Sequence, residues 1–547
     1  GKVECNLLLL SRTYGVFYFD SKKIEETIEV AENRIDNLYS CITESFRRVP
    51  ELKKGRNSLK YDIITIFVSD DAVENALSED FVFSDVNNIK DILSDYQGEI
   101  DERSFDLMQC CLDGTVQTIR KALRPCVSHR LTKGAILNEI EKNIAKFDVE
   151  QKLAAAAETE GVQRIRGLAG SGKTIVLTQK AANYHLKHPD DVILYTYYTK
   201  ALHDTIKEHI SRAYRYFSDN KEPNWDKIII CHAWGGAGTP GVYSMACEDS
   251  GAEALSYGQA IRLCGNDPFG AACKLLLDNN NIKPRYDLIL IDEGQDFTPP
   301  FYQLCYQLSK NKKITWAYDD FQNIFNVKIQ DERETFGKNE QGEYNVDFER
   351  DKFSNQDIVL KKCYRTPRYS LISAFSLGLG IYNGKVLQRL DTNNHWESLG
   401  FHVLHGDCQL TGDKMEIERP EENTPGYSNE KFDASSIQYK KFKNIDVECR
   451  FIARSIANDL TEEELRPEDI CVICVDRKYI SGYFSRISDF LSNEGISSFN
   501  LANTASTNLS FTRDGCVTLA TVNKAKGNEK GVVYICGADY IFSTPNN

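Results

Sequence analysis

Eight consecutive residues restrict the fold of this chain more than any others: Gly167-Leu168-Ala169-Gly170-Ser171-Gly172-Lys173-Thr174. They satisfy the pattern G-x-x-x-x-G-K-[ST] in full. A short strand pattern at 164–166 precedes them and a helical pattern at 175–184 follows, which is the context this loop requires. Its glycines let backbone N–H groups wrap a phosphate at a helix N-terminus. Lys173 is expected to reach the β- and γ-phosphates, and the Thr174 hydroxyl to ligate Mg²⁺.

Such a loop needs a parallel sheet behind it, and the chain supplies the pattern. Apolar runs RIRGLAG, DVILYTYY, KIIICHAW, LILIDE and KITWAYDD alternate with helical stretches. The same style returns from about residue 340 in QDIVLKKC, EDICVICV, GCVTLAT and GVVYICGA. The class is α/β, with helices on both faces of parallel sheets. A length of 547 residues is enough for about three or four domains. We expect an N-terminal α/β domain over 1–130, a first nucleotide-binding domain over 131–338 and a second α/β domain over 339–547. Less regular stretches at about 203–285 and 391–445 read as insertions.

Charge and cysteine content narrow the function. A net charge of −14 excludes a general polyanion binder, so nucleic acid has to be met by a local groove. No apolar run approaches the roughly 20 residues of a membrane span. The 17 cysteines are scattered and often lie in apolar runs, which reads as reduced thiols in a cytoplasmic protein. Cys471-x-x-Cys474 has metal-like spacing, but strand alternation sends the two thiols to opposite faces and no second pair is near.

The partner of the phosphate loop is Leu288-Ile-Leu-Ile-Asp292-Glu293-Gly-Gln295-Asp296. An apolar strand here delivers two adjacent carboxylates at its C-terminal end, where α/β sheets place ligands. Asp292 is expected to hold Mg²⁺ through water and Glu293 to activate the attacking water. Together with the loop they point to hydrolysis rather than binding alone.

The order GLAGSGKT, IDEGQDF, YDDFQNIF, CYRT and TVNKAKGNE resembles superfamily 1 helicases of the UvrD/Rep type over roughly residues 148–547. The resemblance implies two RecA-like domains, ATP with Mg²⁺ as cofactors, and single-stranded DNA, or DNA with single-stranded tails, as partner. By position it implies that Gln151 reads adenine and that Gly167, Gly170, Ser171, Gly172, Lys173 and Thr174 hold the phosphates. Gln322 would be the γ-phosphate sensor, Arg365 an arginine finger and Glu529 a contact to the ribose. Thr196, Tyr198, Lys200, Thr521 and Lys526 fall where the family touches the strand. Tyr198 reads equally well as a strand aromatic.

The chain departs from that family at several points. Val327 stands where a base-stacking tryptophan is usual, which removes a contact worth about 1–3 kcal/mol per base; Phe325 and Trp234 are candidate replacements. Asn523 and Asn528 replace the usual His and Leu. Between GISSFNL and GCVTLAT there is room only for a loop, where UvrD-type enzymes carry a large subdomain. The family's next motif, with a second arginine finger, does not follow TVNKAKGNE. The expectation is a sequence cut short at both ends; the alternative is a natural chain whose missing arginine comes from a protein partner.

The N-terminal block opens with two apolar strands ending in Asp20-Ser-Lys22. Metal-dependent PD-(D/E)XK nucleases carry such a D-x-K, where carboxylates hold Mg²⁺ and the lysine steadies water. Glu4 would have to supply the second carboxylate, because Asn6 is a poorer ligand. An ordinary hairpin with a surface turn is the alternative. Three functions follow: an ATP-dependent single-stranded DNA translocase or helicase in DNA repair or anti-phage defence, a nucleic-acid-sensing ATPase switch, and a helicase–nuclease effector.

Overall fold

The alternation of buried side chains explains how one parallel sheet comes to lie between two helical layers. In the computed structural model, strands β5 (Val162–Gly167), β6 (Ile193–Tyr197), β7 (Ile228–His232), β8 (Leu288–Ile291), β9 (Ile314–Tyr318) and β10 (Asp357–Leu360) form a six-stranded sheet. All neighbours are parallel, in the order β10-β5-β9-β8-β6-β7. Ile193, Tyr195, Leu288, Leu290 and Ala317 point to one face, with helices Lys173–Lys187 and His203–Phe217. Leu194, Ile289, Ile291 and Trp316 point to the other, with helices Val242–Ser250, Pro268–Asn279 and Pro299–Leu308. The period of two along each strand makes both faces apolar, as a doubly covered sheet requires. The structure describes residues 7–21, 28–47, 49, 52–55, 58–68, 82–84, 89–95, 99–112, 132–143, 149–158, 160–198, 202–218, 220–236, 239–279, 281–319, 331–352, 355–381, 390, 392–424, 436–502 and 511–543.

The chain divides into two compact units, Gly1–Ile119 and Arg120–Asn547. In the first, β1 (Leu7–Ser11) and β2 (Gly15–Ser21) make an antiparallel hairpin, and β3 (Ile63–Val68) and β4 (Val82–Ser84) add in parallel. Phe17, Phe19 and Ile66 are the centre of its core.

The second unit holds the six-stranded sheet and two smaller ones. A two-stranded hairpin, β11 (His402–His405) and β12 (Glu416–Glu418), is tied to the main chain by the buried Arg419. Its guanidinium donates to the carbonyls of Lys361, Leu399 and Asn423. The third sheet comprises β13 (Ile470–Cys474), β14 (Ser497–Asn500), β15 (Cys516–Thr521) and β16 (Val532–Cys536), parallel throughout in the order β14-β15-β13-β16. Cys474 packs into the cluster on one face and Cys471 into that on the other.

Two elements sit elsewhere than their sequence position suggests. Strand β10, read as the start of the second α/β region, pairs with β5, the strand that carries the phosphate loop. Arg164 and Arg166 fix that pairing through Asp357 at 2.8 and 2.9 Å. Helix Lys133–Asn143, inside the span expected for the first nucleotide-binding domain, packs Leu137 into the core of the third sheet. Thr132 and Lys133 anchor it there through Glu464 and Asp459.

Candidate functional site

The phosphate loop runs from the end of β5 into helix Lys173–Lys187. Gly170 (φ 80°) and Gly172 (φ 88°) are both left-handed, a conformation that disfavours any side chain. A Cβ on Gly172 would also lie 2.7 Å from Gln151 Nε2, which donates to the Ser171 carbonyl at 2.6 Å. The buried Gln151 thus packs on the loop from helix Val149–Ala156. Lys173 Nζ donates to the carbonyls of Gly167 and Leu168 at 2.8 and 3.1 Å and lies 3.8 Å from Asp319 Oδ2.

The acidic pair leaves the C-terminal end of β8, two strands away from β5. Asp292 is fully buried. Its Oδ2 accepts from the Tyr195 hydroxyl at 2.9 Å and its Oδ1 from the Glu293 N–H at 2.9 Å. The Thr174 side chain is near enough to favour its charged form. Burial, with the Glu293 charge beside it, pushes Asp292 up to about 6, against the pull of Thr174, Tyr195 and Lys173. Glu293 adopts a left-handed backbone (φ 52°, ψ 45°), a strain of about 1–3 kcal/mol for a residue with a side chain. The 3-10 turn Gly294–Asp296 follows. Gln295 donates to Glu293 Oε2 and accepts from the Asp319 N–H at 3.0 Å, so one amide ties the acidic turn to the end of β9.

The donor set fits a nucleoside triphosphate with a divalent cation. The Ser171 hydroxyl is buried without a hydrogen-bond partner, and the first N–H groups of a helix lack intrahelical acceptors. Thr174 and Asp292 both offer hard oxygen donors, the chemistry Mg²⁺ prefers.

Segments distant in sequence close over the loop. Tyr364 N–H donates to the Gly170 carbonyl at 3.0 Å and the Thr366 hydroxyl to that of Ala169 at 3.3 Å, so Arg365 stands beside the glycines. Its Nη1 pairs with Glu529 Oε2 at 2.7 Å, both side chains partly exposed. Lys526 pairs with Asp296 inside the protein. Arg365, Glu529 and the phosphate loop are therefore brought together, and Lys526 faces the acidic turn.

The remaining candidates are dispersed. Thr196 is fully buried within β6, and its carbonyl accepts from Asp292 N–H at 2.9 Å. Tyr198 is half-buried, its ring 5.7 Å from Phe297 and 6.0 Å from His232. Trp234 stacks on Phe269 at 5.0 Å. Thr521 caps helix Val522–Ala525 by accepting from Lys524 N–H. Gln322, Lys200, Phe325 and Val327, with Glu4 and Lys22 of the N-terminal block, lie outside the described residues. Sequence reasoning passed over Tyr195, Gln295, Asp296 and Asp319. For three of these the signal was present, since Gln295, Asp296 and Asp319 belong to motifs already quoted.

Asp20 is in the first unit and is charge-compensated. Its buried carboxylate accepts from the Tyr18 hydroxyl at 2.6 Å, Arg34 Nε at 2.9 Å and Ser21 N–H at 2.8 Å. The Arg34 guanidinium balances the charge of the carboxylate. Asp20→Ala should therefore destabilise the fold by about 2–3 kcal/mol, because a buried hydroxyl and a mostly buried guanidinium lose their acceptor. Thermal unfolding of the chain with and without Mg²⁺ checks this: a metal role would make the loss depend on Mg²⁺.

Neither a protein-family model nor a curated protein matches the chain. Among solved structures it is similar to the crystal structure of T4 UvsW, at 12% identity and a TM-score of 0.21, over 81% of this chain and 68% of that one. A likeness at that level bears neither on the fold nor on the site. Among the described residues no helix is long and apolar enough to cross a membrane.

Proposed function

We propose that the chain is an ATP hydrolase of the superfamily 1, UvrD-like kind, with two RecA-like lobes that translocate along single-stranded DNA. One observation carries the reading: the phosphate loop, the Asp292–Glu293 turn and residues of the third-sheet lobe (Lys526 and Glu529) converge at one site. A nucleotide held between two lobes can convert hydrolysis into relative motion; a nucleotide held by one lobe cannot.

In this reading Lys173 and the loop N–H groups hold the phosphates, and Gln151 borders the base. Glu293 takes the proton of the attacking water, its carboxylate oriented by Gln295. Arg365 leaves Glu529 for the transferring phosphoryl group, where its charge is most valuable. Mg²⁺ held at Thr174 and Asp292 would neutralise phosphate charge as a Lewis acid.

A second reading, a nucleic-acid-sensing ATPase switch that unwinds little, is favoured by the short connection from β14 to β15. It spans only 501–515, too few residues for a further domain. The test of the main reading is ATP turnover with single-stranded DNA, double-stranded DNA, RNA or no addition. Stimulation of at least about tenfold by single-stranded DNA is expected, as a transition state completed by lobe closure requires. Equal turnover in all four arms would overturn it. Strand displacement by the same preparation separates translocase from switch.

A further inference from the structure

The loop after β15 carries a contact that phosphate chemistry alone does not require. Lys526 ends the short helix Val522–Ala525, and its amine forms an ion pair with Asp296 Oδ1. The two side chains are only 6% and 0% exposed. They are 230 residues apart and join the third-sheet lobe to the acidic turn of the six-stranded sheet. Asp296 Oδ2 is buried without a hydrogen-bond partner, so the Lys526 amine is the main compensation for this carboxylate. The next residue, Gly527, has φ 77°, and a Cβ built on it would lie 3.8 Å from Glu293 Oε1. Lys526 therefore grips one end of the turn while Gly527 passes over the other.

The turn transmits that grip. Asp296 N–H donates to the Glu293 carbonyl at 3.0 Å, and Gln295, between them, holds the Glu293 carboxylate. Glu293 sits in a strained left-handed conformation that persists only where its surroundings impose it. Without Lys526, Asp296 would be an uncompensated buried charge and would turn toward water. Glu293 would lose its fixed direction. Gln151 and Lys173, expected to hold nucleotide, bond to carbonyls of the loop itself.

We propose that Lys526 and Asp296 form an interlobe latch that positions Glu293 for hydrolysis when the third-sheet lobe is docked, without contributing to nucleotide binding. Both are positioning residues, and the proposal rests on the hydrolytic reading above. It makes productive turnover conditional on the Lys526–Asp296 contact, whereas nucleotide affinity rests on groups outside that pair.

A double-mutant cycle on the 547-residue chain tests this, using Lys526→Met, Asp296→Asn and the double variant. Phosphate release at saturating single-stranded DNA gives kcat and KM; a fluorescent ATP analogue gives affinity. Each single variant is expected to lose about 10- to 100-fold in kcat, the scale of a catalytic group displaced by about 1 Å. Analogue affinity should stay within about threefold, and the double variant should be no worse than the poorer single, as coupled sites behave. Losses that multiply, kcat near that of the parent, or affinity falling in step with kcat would each overturn the latch. If a single variant does not fold, the double, which leaves no buried charge unpaired, is read alone for the same split. A parent chain without ATP turnover, while still binding the analogue, would instead sink the hydrolytic reading beneath it.

Discussion

Lys173→Ala is expected to lower kcat for ATP hydrolysis by about 100- to 1,000-fold, the usual cost of deleting one pre-aimed charge from a transition state. The amine lies within reach of two loop carbonyls and of Asp319, and its side chain is nearly buried. It is held at the mouth of the loop by groups too weak to retain it against a triphosphate. Removing it also takes away a cation that acts on Asp292 and lies 3.8 Å from Asp319, so the site becomes more hostile to phosphate charge. Nucleotide affinity should fall as well, which separates this variant from those at the latch. Lys173→Arg should fare little better: a planar fork cannot sit between the Gly167 and Leu168 carbonyls as a compact ammonium does. Phosphate release and titration with a fluorescent ATP analogue check both effects. Turnover unchanged in Lys173→Ala would remove the loop from the chemistry.

What could be read from the sequence was what is local. Strand, glycine turn and helix N-terminus are contiguous in 162–187, so the phosphate loop needs no tertiary information. The same holds for Asp292 and Glu293 at the end of β8, and for the alternation that makes the sheets parallel. What could not be read depends on distant partners. Nothing in QDIVLKKC says that β10 pairs with β5; that choice is made by Asp357 meeting Arg164 and Arg166. Nothing in KAKGNE says that Lys526 turns inward, because a lysine reads as exposed until a buried carboxylate is known to face it. Thr196 resembles a strand-end contact in sequence, yet β7 and β8 flank it on both sides. Asp20 reads as a metal ligand or as part of an ordinary hairpin, and nothing in the sequence says that Arg34, from the following helix, pairs with it.

Glu293→Gln should separate binding from chemistry more cleanly than any other change at the site. We expect kcat to fall by about 100- to 10,000-fold, the range ascribed to a positioned general base. The substitution keeps volume and turn, including the left-handed backbone. It also has to satisfy Gln295, whose amide nitrogen donates to Glu293 Oε2. A glutamine in that place must present its carbonyl to Gln295, and its own NH₂ then faces the water. An NH₂ group can donate to that water but cannot take its proton. Electrostatics push binding the other way. The Glu293 charge is part of what holds the neighbouring Asp292 carboxyl above its ordinary range, so neutralising it lets Asp292 ionise more readily. A fuller charge on Asp292 favours Mg²⁺ and the nucleotide that comes with it. Affinity for a fluorescent ATP analogue should therefore be retained or rise while turnover collapses. Parallel loss of both would mean that Glu293 shapes the turn and does not act on water.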